Sequence, residues 1–163
     1  DGERLAALRA AVTVVETTLA EREAHPQLYA GLLTLLRTLA SDRPWRGTYL
    51  RFELLLLAEI GFALDLDRCA VSGRTDALAF VSPRTGRAVA RGAAPEFEPR
   101  LLPLPPALVV GGEPDAEGFT QGLRLTGHFL ERQLYHVIDR AAPAARERLV
   151  QRAEEQRNRG VDT

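Results

Sequence analysis

Apolar residues at helical spacing divide the first third of the chain into three helices. From Glu3 to Glu23, Leu5, Leu8, Val12, Val15 and Leu19 recur at helical intervals, with Arg4, Arg9, Glu16 and Arg22 on other faces. That spacing predicts an amphipathic helix with one buried stripe. His25 and Pro26 break the pattern, and Pro26 suits the first turn of a second helix carrying Leu28, Leu32, Leu35, Leu36 and Leu39. Ser41, Asp42, Arg43 and Pro44 stop it. The third helix, Trp45 to Ile60, differs in kind: Phe52, Leu55 and Leu56 fall on one side of a helical projection and Leu54 and Leu57 on the other. A helix apolar round most of its circumference belongs inside others. Arg51, Glu53 and Glu59 interrupt it, and it is too short to cross a bilayer, which takes about 20 mostly apolar residues. Gly61 ends it. Breaks this short predict antiparallel packing of the three.

Beyond Gly61 the periodicity changes. Asp65 to Asp76 is polar and turn-rich, and then Leu78–Val81 and Arg87–Arg91 flank Ser82-Pro83-Arg84-Thr85-Gly86, the pattern of a small hairpin with a glycine in its turn. A lone two-stranded ribbon is only marginally stable in water, so this one must lean on the helices. Pro95, Pro99, Pro103, Pro105 and Pro106 make a rigid connector that Leu101, Leu102 and Leu104 pin to the core. A last long helix is predicted from Glu117 to Ile138, with Phe119, Leu123, Leu130, Leu134 and Ile138 on its buried stripe and Arg124, His128 and Arg132 outside. From Pro143 to about Arg157 runs a charged helical segment held by Leu149 and Val150, fraying toward Thr163. The predicted fold is mainly α: a helical bundle around a central apolar helix, one domain over 1–163, with a hairpin and proline-rich insertion at 62–107.

Composition supports one globular domain. The chain has 163 residues, 45% apolar and 26% charged, enough for a single core without metals or disulfides. Its net charge of −1 provides no global basic field for nucleic acid. All 21 basic residues are arginine, a bias given little weight here. One cysteine excludes an internal disulfide, and no basic, apolar leader opens the chain, so the cytoplasm is the expected location. The chain contains no methionine, which leads us to expect a piece of a longer protein.

Little of this chain points to catalysis. Cys69 has no histidine near it in sequence and nothing local predicts a lowered thiol pKa, so an inert cysteine is expected. Asp65 and Asp67 lie on opposite sides of an extended segment, and Glu154 and Glu155 sit in a charged tail, so neither pair suggests acid–base work. Gly111-Gly112 precedes Glu113 and Pro114, and the chain has no lysine, which removes a phosphate-cradling loop of the nucleotide-hydrolysing kind. Two cationic groups remain. Arg124, His128 and Arg132 are four residues apart and stack into one positive ridge beside an apolar helix face; read as solvated surface charge, they would do nothing. Arg84, Arg87 and Arg91 on the hairpin could touch phosphate or acidic protein, or only protect the edge of a short ribbon.

Five blocks carry a resemblance: FELLLLAEIGFALDLDRCAVSG, AFVSPRTGRAVAR, RLLPLP, GLRLTGHFLERQL and AARERLV. In this order they resemble the helical C-terminal region of the RecO family of bacterial recombinational DNA repair proteins; the family's N-terminal oligonucleotide-binding barrel has no counterpart here. Some members carry a zinc knuckle, CxxC followed by a second CxxC after the hairpin. Here Cys69 matches the first position, but Ser72, Ala90 and Ala93 stand at the others, and a structural zinc needs four ligands, so no metal and no other cofactor is expected. Leu78, Phe80 and Val89 are then left to hold the hairpin by packing. The resemblance implies a recombination mediator without catalysis. Such a protein binds the acidic, aromatic-ended tail of single-strand-binding protein, partners RecR, contacts single-stranded DNA, anneals strands and helps load RecA. It raises the standing of the Arg124, His128, Arg132 ridge, though the ridge itself is an inference from charge. The alternative is a helical scaffold whose recognition resides in the barrel.

Overall fold

In the computed structural model, which describes residues 1–19 and 23–161, five α-helices enclose one main core and a three-stranded sheet is fixed to its side. The helices are α1 (Gly2–Thr18), α2 (Pro26–Leu39), α3 (Arg46–Glu59), α4 (Ala116–Leu130) and α5 (Ala144–Val161). Arg22 and Thr163, the expected end of the first helix's polar face and the fraying tail, lie outside the described residues.

The starts of the first four helices have chemical reasons. The Asp1 carboxylate accepts the Glu3 N–H at 3.0 Å, Pro26 opens α2, and the Asp115 carboxylate accepts the Gly118 N–H at 2.7 Å. Helix α3 has no local cap. Its first N–H groups, on Arg46 and Gly47, donate instead to the two carboxylate oxygens of Glu113, 3.0 Å each, from the loop ahead of α4. Gly61, at φ +93°, ends α3 in the left-handed region where glycine is favoured.

The central helix is where the periodicity places it. Tyr49, Leu50, Phe52, Leu56 and Leu57 of α3 are buried, and α2 and α4 pack on it. Trp45 meets Phe119 edge-on at 5.4 Å between centroids, tying the entry of α3 to α4. Gly122 of α4 lies so close to α3 that a Cβ there would come within 2.3 Å of Leu50 Cδ1.

Helix α1 departs from expectation. Its buried apolar residues are Ala7, Ala10, Ala11 and Val14, whereas Leu5 and Val12, assigned to the buried stripe, are 47% and 38% exposed. The cause is the partner: α1 packs chiefly on α5, and alanines allow the two backbones to come close. The long last helix departs as well. Regular α geometry stops at Leu130, a π-helical turn spans Glu131–Tyr135, and Ile138 is 39% exposed rather than buried.

The hairpin is part of a larger sheet than expected. Strands β1 (Leu78–Val81) and β2 (Ala88–Ala90) pair antiparallel, and β3 (Leu102–Pro103), from the proline-rich connector, pairs with the other edge of β1, giving the order β2-β1-β3. The segment after α3 adds a further fixing point, since the Asp65 N–H donates to the Gly86 carbonyl at 3.0 Å and the Ala88 N–H to the Asp65 carbonyl at 2.8 Å. Gly86 is required there: φ is +70°, and a Cβ would sit 2.8 Å from Leu64 Cδ2. Phe62, stacked on Phe129 of α4 at 5.3 Å, completes the seat. Leu78, Phe80 and Leu101 pack with Val89 and Cys69 into a small second core, and Leu104 joins the main one.

Candidate interaction surface

The two cationic groups that sequence reading kept apart meet through one carbonyl. His128 Nε2 lies 2.9 Å from the Pro83 oxygen in the hairpin turn, and Arg132 Nη1 donates to the same oxygen at 2.6 Å. The turn therefore sits on the ridge, with Arg84, the residue after Pro83, beside it in the chain. Arg84 and Arg124 are exposed, and among the described residues their side chains have no hydrogen-bond or ion-pair partner. The remaining hairpin arginines are engaged: Arg87 Nε is 3.9 Å from Asp65, and the Arg91 guanidinium lies 5.9 Å from the centre of the Phe80 ring. Of the ridge, then, Arg124 is free for a partner, while His128 and Arg132 first anchor the turn. The five described cavities are lined by residues other than these.

The cysteine knuckle keeps its shape without its ligands. Cys69 is buried, and its sulfur accepts the N–H groups of Ser72 at 3.3 Å and Ala90 at 3.2 Å, two of the three positions that the resemblance matches to further thiolates. Burial disfavours the thiolate, but those N–H donors and the Ser72 side chain outweigh it and bring the thiol down to about 7. This corrects the expectation that nothing local predicts a lowered pKa: the Ser72 and Val71 groups lie within three residues, and the Ala90 donor, 21 residues away, adds to them. Ser72, Ala90 and Ala93 do not fit zinc, because with Cys69 they supply one thiolate where four ligands are needed. Among the described residues no group of three or more His, Cys, Asp or Glu side chains gathers as a metal would require.

A polar cluster missed in the sequence lies in the core. Glu53, read as an interruption of the apolar helix, is fully buried, and its carboxylate accepts hydrogen bonds from Tyr49 Oη (2.9 Å), Thr126 Oγ1 (2.5 Å) and Arg146 Nε and Nη2 (2.9 Å each). Arg146 reaches it from α5 across Gly127 of α4, where a Cβ would be 2.9 Å from Nη1. Burial opposes the guanidinium charge, yet the Glu53 carboxylate reverses that and raises its pKa. Burial, and then Glu53, hold the Tyr49 and Tyr135 hydroxyls well above the usual tyrosine range. The cluster is enclosed and satisfied apart from the Tyr135 hydroxyl, which has no hydrogen-bond partner among the described residues, so it joins α3, α4 and α5 rather than presenting a reactive group.

Comparison with known proteins gives a consistent result. Residues 1–140 match the family described as recombination protein O, C terminal. The chain is 51% identical over 154 residues to the DNA repair protein RecO of Cereibacter sphaeroides, covering 92% of this chain and 64% of that protein. It is 48% identical over 154 residues to that of Rhodospirillum centenum (93% and 61%) and 47% identical over 161 residues to that of Jannaschia sp. (98% and 65%). The chain thus spans somewhat under two thirds of the length of these relatives. No solved structure matches. Among the described residues no helix is long and apolar enough to cross a membrane.

Proposed function

Because the chain belongs to the RecO family of DNA repair proteins, whose C-terminal region it matches over most of its length, we propose that it is the helical interaction domain of a non-catalytic cytoplasmic recombination mediator. In this reading it binds the acidic, aromatic-ended tail of single-strand-binding protein, partners RecR and makes an accessory contact to single-stranded DNA, serving strand annealing and RecA loading. The observation that carries the tail contact is the meeting of ridge and hairpin turn at the Pro83 carbonyl, which leaves Arg124 and Arg84 exposed and unpaired around one anchored turn. Exposed cations of this kind act over about 10 Å at 0.1 M salt and attract an acidic segment in a salt-dependent way.

Fluorescence anisotropy with a labelled tail peptide tests it. Arg132 anchors the turn, so the clean charge reversal is Arg84→Glu with Arg124→Glu. That variant should bind the tail several-fold more weakly, with a smaller salt dependence, while circular dichroism and melting stay at wild type. Equal affinity in the folded variant would favour the second reading, a helical scaffold, for which the engagement of His128 and Arg132 with Pro83 already speaks.

A further inference from the structure

A cavity of about 110 Å³ lies at the seam of α1 and α5, lined by Leu5, Ala6 and Arg9 from one helix and Arg148 and Arg152 from the other, with Gly2 at the first turn of α1. Arg148 and Arg152 are one helical turn apart and share a face. Arg9 joins them from a helix more than a hundred residues earlier in the chain. All three are exposed, no carboxylate lines the cavity, and among the described residues none of the three guanidinium groups has an ion pair or hydrogen bond. Their neighbours are neutralised: Arg4 by Asp1, Arg46 by Glu3, Arg146 by Glu53 and Arg157 by Glu117. In a chain of net charge −1, three unpaired cations around so small a space stand out. Arg152 Nη1 lies 3.4 Å from where a Cβ of Gly2 would be, against the bare backbone of the first turn of α1.

Like charges held this close repel one another, and an anion between them relieves the repulsion. We propose that this cavity is a phosphate-oxyanion site holding the backbone of a single nucleic-acid strand. A phosphodiester offers two non-bridging oxygens that share one negative charge and match the planar donor forks of arginines approaching from different helices. The rest of the lining is apolar: Ala6 and the half-exposed Leu5 present the surface on which a sugar or base rests beside a held phosphate, which an isolated ion does not use. The site rests on the strand-contact part of the function proposed above and is independent of the tail contact.

The test is binding of a labelled oligothymidine by the whole chain across about 50 to 200 mM salt. Each phosphate contact on a single strand contributes about 0.7 to the slope of log K against log salt, and the cavity holds one phosphate, so Arg148→Gln with Arg152→Gln should weaken binding and flatten the slope by up to about 0.7, a loss that adding Arg9→Gln completes. Arg148→Lys with Arg152→Lys keeps the charges and should keep the slope near wild type. An unchanged slope in the folded triple variant overturns the site. If inorganic phosphate raises the melting temperature of wild type but not of the triple variant, while strand binding is equal in both, the ligand is free phosphate and the strand assignment falls. Loss of tail-peptide binding in the glutamine variants with an unchanged strand slope reassigns the cavity to an acidic protein segment. No strand binding by wild type at 50 mM salt removes the strand-contact reading itself, whereas tail binding is scored separately by the peptide assay.

Discussion

Glu53 shows how one residue can mislead a reading by periodicity and then organise the core it interrupts. A carboxylate and a guanidinium buried together cost several kcal/mol each to remove from water, and the pair repays this only when every polar atom finds a partner. Here Tyr49, Thr126 and the Leu123 carbonyl complete the set. Removing one member should therefore be worse than removing both. Arg146→Met leaves the carboxylate buried and unpaired, and urea denaturation should show about 3–5 kcal/mol lost. Glu53→Leu combined with Arg146→Met should recover most of that. A single variant within about 1 kcal/mol of wild type would mean that water reaches the carboxylate and that the cluster is less enclosed than its geometry indicates. None of this was legible locally, because the partner of Glu53 lies 93 residues downstream; a glutamate flanked by Phe52 and a run of leucines reads as a defect until that partner is in place.

At the scale of elements, what could be read depended on how far away the burial partner was. Helices α2 and α3 carry their own apolar periodicity and stand where it puts them, whereas α4 follows its own only as far as Leu130. Helix α1 was found, but its buried face was misassigned, since leucine and valine mark burial only when the neighbouring helix is not packed against alanines. Strand β3 was hidden for a similar reason: two residues, one of them proline, have no local strand signal, and only pairing with β1 makes them one. The ridge was legible as spacing on α4, but its attachment to Pro83, 45 residues before His128, was not. The packing of α3 on α4 yields a prediction whose sign depends on magnitudes. Replacing Gly122 by alanine gains about 1 kcal/mol of helix propensity. The new methyl would meet three atoms of the fully buried Leu50 side chain, at 2.3, 2.8 and 3.1 Å. Overpacking of a closed core costs about 1–3 kcal/mol, so Gly122→Ala should destabilise despite the gain. A raised melting temperature would show that Leu50 can move aside.

Over the whole molecule, the helix most easily dismissed from sequence holds the bundle closed. The family match ends at residue 140, and α5 lies beyond it. Yet α5 supplies Arg146 to the buried cluster, Leu149 and Ala153 to the core, and the principal partner of α1. A chain ending at residue 140 should therefore lose its cooperative thermal transition, not merely fray, because Glu53 would be left uncompensated and the alanine face of α1 exposed. A sharp melt of the shortened chain near the full-length midpoint would make α5 an accessory.

The junction of α1 with α5 also sets a timetable. Gln156 Nε2 donates to Glu3 at 2.9 Å across 153 residues of chain, and the Arg46 guanidinium is shared by both. During synthesis, at about 5–20 residues per second, α1 waits roughly 8–30 s for the helix that covers it. Until then its alanine face is open to solvent and to whatever else is nearby. A ribosome carrying this chain thus displays an incomplete bundle until α5 has emerged, and that interval is the point in its life at which a chaperone would find the most to hold.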